Sequence, residues 1–330
     1  MPLANPTVTR PGQHNGTGAI NALHIEEITG EVQGTLERMS LLAPRVQLRP
    51  LRGTSTLTTH AVGKSALGKI VVGQGIQATG QTSWGKTSVS VDTTIICREH
   101  LPLLEELQTS YAARAEIGQE QGKEHAKGFD QAFFIQAMKA GQRTTNTYGL
   151  SAGKGHLGAT QSTFANALDV NDAALIYSQI VDLITKMREK DVDPISDGTI
   201  LGVSHATMAL LSMNEMLINT EFVTSDGTRI PQMVLKAHGL PIIPSNNFLG
   251  GQTVTGHLLS TTENGNAYDG DFTKVVGVAF SPKALLAAET IPLSTDVFFD
   301  KMDKVWYIDS WRAFGVAPRD VVHAGLILKP

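Results

Sequence analysis

The chain has 330 residues, of which 41% are hydrophobic and 18% are charged, as is ordinary for a soluble globular protein. Its net charge of −4 argues against a protein that mainly grips nucleic acid phosphates, because such proteins carry a strong basic excess. The single cysteine, Cys97, excludes an intrachain disulfide and a four-thiolate metal site. Residues 1–18 contain no apolar signal region, and no stretch is apolar for long enough to cross a membrane. We therefore expect a protein that is cytoplasmic when it is made.

The segment after position 20 shows helical periodicity. Its apolar residues recur at three- and four-residue intervals and are Ile25, Ile28, Val32, Leu36 and Met39. This spacing predicts a short amphipathic helix. Gly30 and Gly34 weaken that helix, so we expect it to depend on packing against another surface.

Residues 51–92 are rich in Gly, Ser, Thr, Gln and Lys and hold too few apolar residues for a core of their own. Two pieces favour β-structure, Lys69–Val72 and Thr87–Ile96, and glycine turn signals lie between them. The pattern predicts a long two-stranded loop that projects from the body, while the composition alone equally allows a flexible segment. Because an isolated hairpin is marginal in water, such a loop needs a partner surface to be ordered.

The longest helical pattern runs from Leu104 to Ala140 without a break. Pro102 stands where a helix start tolerates proline, and Gly141 is suited to the far end. At 1.5 Å per residue this helix would extend roughly 55–60 Å, which is longer than most globular helices. The middle of its apolar stripe consists of the small residues Ala115, Gly118, Gly122 and Ala126. Small residues let another backbone approach closely, so the pattern predicts a spine helix.

The rest of the chain mixes further helices with strands. Helices are expected at Asn171–Lys190 and His205–Asn219. Strands are expected at Thr199–Val203, Val234–Ile243, Val275–Phe280, Asp296–Phe299, Val305–Ile308 and Val321–Leu328, with a polar loop at Asn246–Phe272. Because these elements show no regular βαβ alternation, the predicted fold class is α+β.

Two strings resemble nucleotide-binding motifs. Gly153–Gly158 matches G-x-G-x-x-G, but a polar, turn-prone stretch precedes it where a dinucleotide site needs a hydrophobic strand. Residues 63–65 read Gly-Lys-Ser like the end of a P-loop, but Thr58 stands where the first glycine belongs. We therefore predict that both segments are loops that do not bind a nucleotide.

Ser204 lies between a predicted strand and a predicted helix, which is where a nucleophile elbow would stand. The elbow's last glycine is replaced by Ala206, and helix capping by the hydroxyl explains the serine as well. The downstream histidines that a hydrolase would need are His238, His257 and His323, and none lies in a recognisable motif.

Other chemical signals are weak. Asp191, Asp193 and Asp197 faintly resemble a calcium loop, but Ile195 stands where an oxygen ligand is required, so a solvated turn is sufficient. The aromatic residues around Trp306 lack the basic neighbours of a base-stacking surface and favour a core or an interface. The sequence thus predicts no catalytic, cofactor-binding or metal-binding residue and no enzymatic activity.

The order of parts is distinctive: a weak amphipathic arm, a long hairpin, a glycine-studded spine helix, a helix–strand–helix module and β-rich C-terminal segments. This order resembles tailed-phage major capsid proteins with the Hong Kong 97 fold, especially those of short-tailed phages of the T-odd coliphage kind. The local likenesses are the Gly30-Glu31-Val32 end of the arm, Gly63-Lys64-Ser65 in the rising part of the loop, the spine at Glu105–Gly141, and the stretch Lys236–Pro244, where a glycine precedes a strand and a proline follows it.

The resemblance implies hexamers and pentamers on an icosahedral shell that encloses double-stranded DNA, without sequence-specific binding. It implies an N-terminal arm (1–50), an extended loop (51–96), a peripheral domain (97–141 with 287–330) and an axial domain (142–286). The loop would reach over a neighbouring subunit, and the polar loop Asn246–Phe272 would approach the capsomer axis. A separate scaffolding protein is implied because the segment before the spine is short, together with a portal protein and, as an option, a decoration protein. The expected location is the virion, after assembly in the host bacterial cytoplasm.

Charged residues are the candidate intersubunit contacts, with solvated faces as the alternative. They are Arg52, Lys64, Lys69 and Lys86 in the loop, and Glu105, Glu106, Glu116, Glu120 and Glu124 on the spine. Nothing in the sequence identifies a covalent lysine–asparagine crosslink. Three alternative functions remain: an encapsulin-like nanocompartment shell, a serine hydrolase that uses Ser204, and a nucleotide-binding protein that uses Gly153–Gly158.

Overall fold

The computed structural model of the chain describes residues 35, 40–63, 65, 67–69, 72, 73, 83–104, 113–150, 157–213, 218, 219, 232, 233 and 236–330. Among these residues, the α-helices with both ends assigned are α1 (Ala113–Gln142), α2 (Ala173–Arg188) and α3 (His205–Leu211). The strands are β1 (Leu48–Pro50), β2 (Thr56–Val62), β3 (Trp84–Ser90), β4 (Ile95–Pro102), β5 (Thr160–Thr163), β6 (Ile200–Val203), β7 (Ile218–Asn219), β8 (Gln232–Met233), β9 (Lys236–Ala237), β10 (Leu240–Pro244), β11 (Thr253–Val254), β12 (Gly270–Asp271), β13 (Val275–Phe280), β14 (Leu285–Asp300), β15 (Val305–Pro318) and β16 (Ala324–Leu328). The mixture confirms the α+β class.

The chain divides into two compact units. Unit 1 comprises residues 1–40, 94–127 and 291–313, and unit 2 comprises residues 41–93, 128–290 and 314–330. The long helix α1 and the long strands β14 and β15 contribute residues to both units. The four-part division that the resemblance implies remains a prediction.

Unit 1 is a sheet with the first half of α1 against one face. β15 pairs antiparallel with β4 over the full length of β4, from Val305 opposite Pro102 to Arg312 opposite Ile95. Val297 and Ile308 form its buried centre, with Ile117 of α1 packed against them. The Gln121 amide donates to the carbonyl oxygen of Ile308 at 3.0 Å, which fixes the helix on the sheet.

Unit 2 is built around a six-stranded sheet in the order β5-β16-β13-β6-β10-β9. The pairs β5–β16 and β6–β10 are parallel, and the pairs of β13 with β16 and with β6 are antiparallel. Helix α2 buries Ile180, Leu183 and Ile184 against this sheet. In α1, Phe134 packs edge-on against Phe280 of β13, at 6.3 Å between ring centroids. Such fully buried aromatic and aliphatic side chains supply most of the free energy that holds the unit together.

Several predicted elements are confirmed within the described residues. β6 and β13 lie where expected, and α2 begins one residue after Asp172, whose carboxylate accepts the backbone N–H of Ala174 at 2.8 Å. The spine prediction is confirmed for Ala113–Gln142, while residues 105–112 lie outside the described residues, as does almost all of the predicted arm helix at 20–39. Pro102 ends β4, and Leu103 and Leu104 are helical.

The predicted third helix was too long. It ends at Leu211, and Ile218–Asn219 form β7, which pairs antiparallel with β8. β-Branched and asparagine side chains have weak helix propensity, so backbone pairing with another segment prevails there.

The prediction of one strand at 234–243 was also wrong. Two strands, β9 and β10, are joined by the two-residue turn His238–Gly239, in which both residues have positive φ (47° and 89°). This geometry is typical of tight type I′ hairpin turns. At the C-terminus, residues 321–323 form a 3-10 turn before β16 begins at Ala324.

The long hairpin is confirmed, but only its second strand overlaps a predicted piece: β3 includes Thr87–Ser90, whereas β2 lies before Lys69–Val72. β2 and β3 pair antiparallel from Thr56 opposite Ser90 to Val62 opposite Trp84. Val72 lies in a turn and Lys69 in no strand. The prediction followed the β-branched clusters, whereas the strands occupy Thr- and Ser-rich stretches whose pairing depends on contacts with the rest of unit 2.

Candidate assembly surfaces

The hairpin β2–β3 packs one face against the rest of unit 2 and exposes the other to solvent. Leu57 and Val89, opposite one another in the ladder, pack against a buried cluster of Leu51, Leu286 and Ala288. The alternating side chains point the other way and form what we call the hairpin outer face: Thr56, Thr58, His60, Val62, Trp84, Lys86, Ser88 and Ser90. All of them are exposed. At the distal end of this face, Val62 and Trp84 are 46% and 71% exposed, so an apolar pair faces water.

Gly85 decides how closely the hairpin approaches the body of unit 2. A Cβ at this position would lie 2.7 Å from the Cβ of Tyr148 and closer still to the carbonyl oxygen of Tyr148. Only a glycine lets the two backbones come so near. Gly85 is one of the glycine turn signals predicted between Lys69–Val72 and Thr87–Ile96, whereas it lies inside β3 at a close backbone approach.

The solvent face of α1 in unit 1 carries the predicted acidic residues. Glu116, Glu120 and Glu124 are all exposed and recur at four-residue spacing. Glu120 pairs with Lys123 at 2.8 Å, and Glu124 lies 3.8 Å from Lys127, both within the helix. These intrahelical pairs cost little to open, because exposed ion pairs stabilise by about 1 kcal/mol or less.

The basic candidates lie in the loop region of unit 2. Arg52, Lys69 and Lys86 are exposed, and Lys86 stands opposite His60 on the hairpin outer face. Lys64, Glu105 and Glu106 lie outside the described residues.

The sheet of unit 1 presents an aromatic face opposite α1. Phe298 stacks on Tyr307 at 5.2 Å, and Arg98 lies 5.9 Å from the centroid of the same Tyr307 ring. Arg98 also makes a two-point ion pair with the buried carboxylate of Asp309, at 2.8 and 2.5 Å. This hydrogen bonding raises the pKa of the Arg98 guanidinium further above its ordinary range. Ile96, 55% exposed, extends the face along β4.

Asp130, inside α1, holds the point where the N-terminal segment enters unit 2. Its fully buried carboxylate accepts the backbone N–H groups of Leu41 (3.0 Å) and Leu42 (3.3 Å) and the side-chain amide of Asn247 (3.5 Å). The sequence did contain a signal, an aspartate beside Phe129 on the apolar stripe of the spine, and our prediction overlooked it.

The polar loop 246–272 is tightly organised. The Asp269 carboxylate accepts from the Ser260 hydroxyl (2.5 Å) and from the backbone N–H of Gly256 (3.1 Å), and these bonds lower the pKa of Asp269. Helix α1 holds the loop through Lys139, which donates to the carbonyl oxygen of Ala267 at 2.7 Å. Partial burial lowers the pKa of Lys139.

Ser204 caps α3, as one of its two interpretations predicted. Its hydroxyl accepts the backbone N–H of Thr207 at 3.2 Å and lies 3.0 Å from the hydroxyl of Thr207. The three histidines proposed as hydrolase partners have other contacts: His238 lies in the β9–β10 turn, His257 stacks on Tyr268, and His323 lies 3.0 Å from Asp197.

The calcium-like turn at 191–197 and the glycine string at 153–158 are the remaining candidate motifs. Asp193 accepts the backbone N–H of Ile195, and Asp197 pairs with Lys283 at 2.5 Å. Most of Gly153–Gly158 lies outside the described residues. Among the residues that the structure describes, no group of three or more His, Cys, Asp or Glu side chains could hold a metal ion. No helix in the described ranges is long and apolar enough to span a membrane.

Solved structures share this architecture. The capsid protein of the Cyanophage P-SCSP1u is 15% identical, covers 86% of each chain and gives a TM-score of 0.72. The mature capsid of bacteriophage PhiM1 is 19% identical over 88% of this chain and 87% of that one, with a TM-score of 0.69. A virus-like particle from Pyrococcus furiosus is 9% identical over 92% and 99% of the two chains, with a TM-score of 0.53. No protein-family model matches the sequence, and no curated protein matches it. The chain therefore has the Hong Kong 97-type fold of phage capsid proteins, and this fold is shown by structure alone.

Proposed function

We propose that the chain is the major capsid protein of a tailed bacteriophage of the short-tailed, T-odd coliphage-like kind. Copies of it assemble as hexamers and pentamers into an icosahedral shell around double-stranded DNA, and the chain is structural, without catalytic activity. The observation that carries the proposal is the match to the cyanophage capsid protein over 86% of both chains with a TM-score of 0.72.

The hairpin outer face supplies a physical reason for self-association. A chain that exposes Trp84 and Val62 at the end of a two-stranded ribbon gains free energy when another copy covers them. Full burial of an exposed large apolar side chain contributes about 1.5–3 kcal/mol, and Val62, already half-buried, contributes less. One such contact is weak, but a closed shell repeats it in every subunit, so the contacts act together.

Charge fits the same arrangement. The basic residues Arg52, Lys69 and Lys86 accompany the hairpin, and the acidic row Glu116, Glu120 and Glu124 lies on the open face of α1. We propose that these rows face one another between copies. Exposed ion pairs contribute little affinity, so their role is to orient the approaching subunit.

The remaining parts follow the same proposal. The chain comprises an arm (1–50), an extended loop (51–96), a peripheral domain (97–141 with 287–330) and an axial domain (142–286), with loop 246–272 at the capsomer axis. Its partners are other copies, a separate scaffolding protein, a portal protein, a decoration protein as an option, and the enclosed DNA. Assembly takes place in the host bacterial cytoplasm, and the product is the virion.

The test is particle size. The chain is produced with and without the neighbouring phage proteins and examined by negative-stain electron microscopy and light scattering. We expect closed shells tens of nanometres across, or discrete hexamers and pentamers. A monomer or dimer under every condition, co-production included, contradicts the proposal.

A matched pair of variants tests the hairpin contact. Trp84→Ser removes the exposed aromatic side chain of the hairpin, and Leu168→Ser removes an 81% exposed leucine from the 3-10 turn before α2. We expect Trp84→Ser to abolish shells while its circular dichroism and thermal unfolding match the parent, and Leu168→Ser to assemble normally. Normal assembly of Trp84→Ser contradicts the role of the hairpin outer face.

A nanocompartment shell is the second candidate, favoured by the likeness to the Pyrococcus furiosus virus-like particle. Nucleic acid content separates the two functions. Shells isolated from phage-producing cells contain nuclease-protected DNA if the chain is a phage capsid protein, and protein cargo without DNA if it is a nanocompartment.

A further inference from the structure

His257 occupies an unusual position at the base of loop 246–272. Its Nδ1 accepts the backbone N–H of Leu259 at 3.2 Å, so it closes a tight turn within the loop. Its ring stacks on Tyr268, at 5.4 Å between centroids and 22° between planes. The Tyr268 hydroxyl donates to the carbonyl oxygen of Val316 and accepts the N–H of the same residue. These two bonds fix the position of the Tyr268 ring on which the imidazole stacks.

This geometry defines the protonation state of the ring. A nitrogen that accepts an N–H carries no proton, so the neutral imidazole holds its proton at Nε2. Within the described residues, Nε2 is buried and has no hydrogen-bond partner. A second proton can therefore enter only at Nδ1, the atom that the Leu259 amide uses. Two N–H groups would then point at each other, and the turn would lose its bond.

The surroundings determine which state prevails. Burial lowers the pKa of His257, and the carboxylate of Asp269 acts against this effect. Among the other charged groups of this region, Lys139 on α1 acts on Asp269, Asp92 accepts from the Thr261 hydroxyl, and Glu263 is an exposed residue of the loop. Asp269 already accepts the backbone N–H of His257 at 3.3 Å, so a rotated, protonated ring finds an anionic acceptor close by.

We infer that His257 is an acid-sensitive latch, which holds segment 253–269 in the described conformation while the ring is neutral and releases the Leu259 amide when Nδ1 takes up a proton. The latch belongs to the fold of the chain itself and does not depend on shell formation. In a shell it would link pH to the conformation of the loop proposed for the capsomer axis, in the manner of other histidine switches.

Hydrogen exchange of the full-length chain tests the latch. Exchange is followed by mass spectrometry at about pH 7.5 and about pH 5, on either side of the ordinary histidine pKa of about 6.5, with correction for the intrinsic pH dependence of exchange. We expect segment 253–269 to lose protection at the lower pH relative to the reference segment, because the opened loop binds a proton that the closed ring excludes. Segment 236–244, which contains β9 and β10, serves as the internal reference and should keep its protection.

His257→Asn provides the decisive variant, because its side-chain oxygen can accept the Leu259 N–H and cannot take up a proton in this range. We expect its loop protection to be independent of pH, while His100→Asn, which removes an exposed histidine of β4, behaves like the parent. Equal protection of the parent loop at both pH values overturns the inference, as does a parent-like pH response in His257→Asn. If that variant fails to fold, ¹⁵N-histidine spectra of the parent decide: an unprotonated Nδ1 at neutral pH supports the latch, and a protonated Nδ1 refutes it.

Discussion

Replacing Gly85 by alanine should detach the long hairpin from the body of unit 2 without unfolding the unit. The new Cβ would lie 2.7 Å from the Cβ of Tyr148 and closer to the carbonyl oxygen of Tyr148. Carbon atoms pack at about 3.5–4.0 Å, so the two backbones must separate by roughly 1 Å. Neither side can yield by rotating a flexible side chain, because the nearest obstacle is backbone.

The size of the effect follows from what this separation disturbs. Overpacking of this kind costs about 1–3 kcal/mol. The contact of Leu57 and Val89 with the cluster at Leu51 and Leu286 lies a few residues along the same two strands, and the shift weakens it. Because an isolated two-stranded hairpin is marginal in water, that loss falls on the docked state of the hairpin.

Hydrogen exchange measures this local opening. We expect the amides of β2 and β3 to exchange about 5- to 150-fold faster in Gly85→Ala, the range that corresponds to 1–3 kcal/mol, while amides of the six-stranded sheet keep their protection. Gly128→Ala is the matched control, because a Cβ at that helical position meets nothing within 4 Å. It should stabilise the chain by up to about 1 kcal/mol. Unchanged exchange of β2 and β3 in Gly85→Ala would refute the reasoning.

Three further substitutions probe single contacts. Asp130→Ala leaves the buried N–H group of Leu42 and the partly buried N–H group of Leu41 without their acceptor and should lower the free energy of unfolding by about 1–3 kcal/mol in urea titrations. Ser204→Ala removes the cap of α3 and should cost about 1 kcal/mol in the same assay, with no esterase activity in either the parent or the variant. His125, which lies 3.0 Å from the Ser310 hydroxyl, has its pKa lowered by burial and by Arg312. The unfolded chain therefore binds an extra proton as pH falls below about 6.5, so stability declines there, and His125→Gln should flatten that decline in thermal unfolding followed from pH 8 to about pH 5.

Each of these expectations has a clear contrary outcome. Parent-like stability of Asp130→Ala would mean that water satisfies the Leu41 and Leu42 amides. Esterase activity in the parent that disappears in Ser204→Ala would reinstate the hydrolase. An unchanged pH slope in His125→Gln, compared with His100→Gln as the exposed control, would show that other groups govern acid stability.

Local pattern predicted the elements whose side chains repeat on one face. The spine helix and α2 were found because their apolar residues recur at helical spacing, and β13 because Val275–Phe280 is a continuous apolar run. The sequence could not show the turn at His238–Gly239, since a histidine with positive φ leaves little trace in composition. It also missed β2 and the first residues of β3, because Thr- and Ser-rich strands become ordered through contacts with distant residues such as Leu286.

By itself, then, the sequence determined the α+β class, the long hairpin and the spine helix after it, and the resemblance to capsid proteins, and it supplied charged residues as candidates for intersubunit contacts. Local propensity and hydrophobic periodicity carry this information, and both are properties of short windows of the chain. Only the tertiary structure decided that Gly85 meets Tyr148, that Asp130 holds the Leu41 and Leu42 amides, and that His257 closes a turn on Tyr268. Each of these contacts depends on distances in space, and these distances are fixed by the packing of the whole unit and not by local propensity.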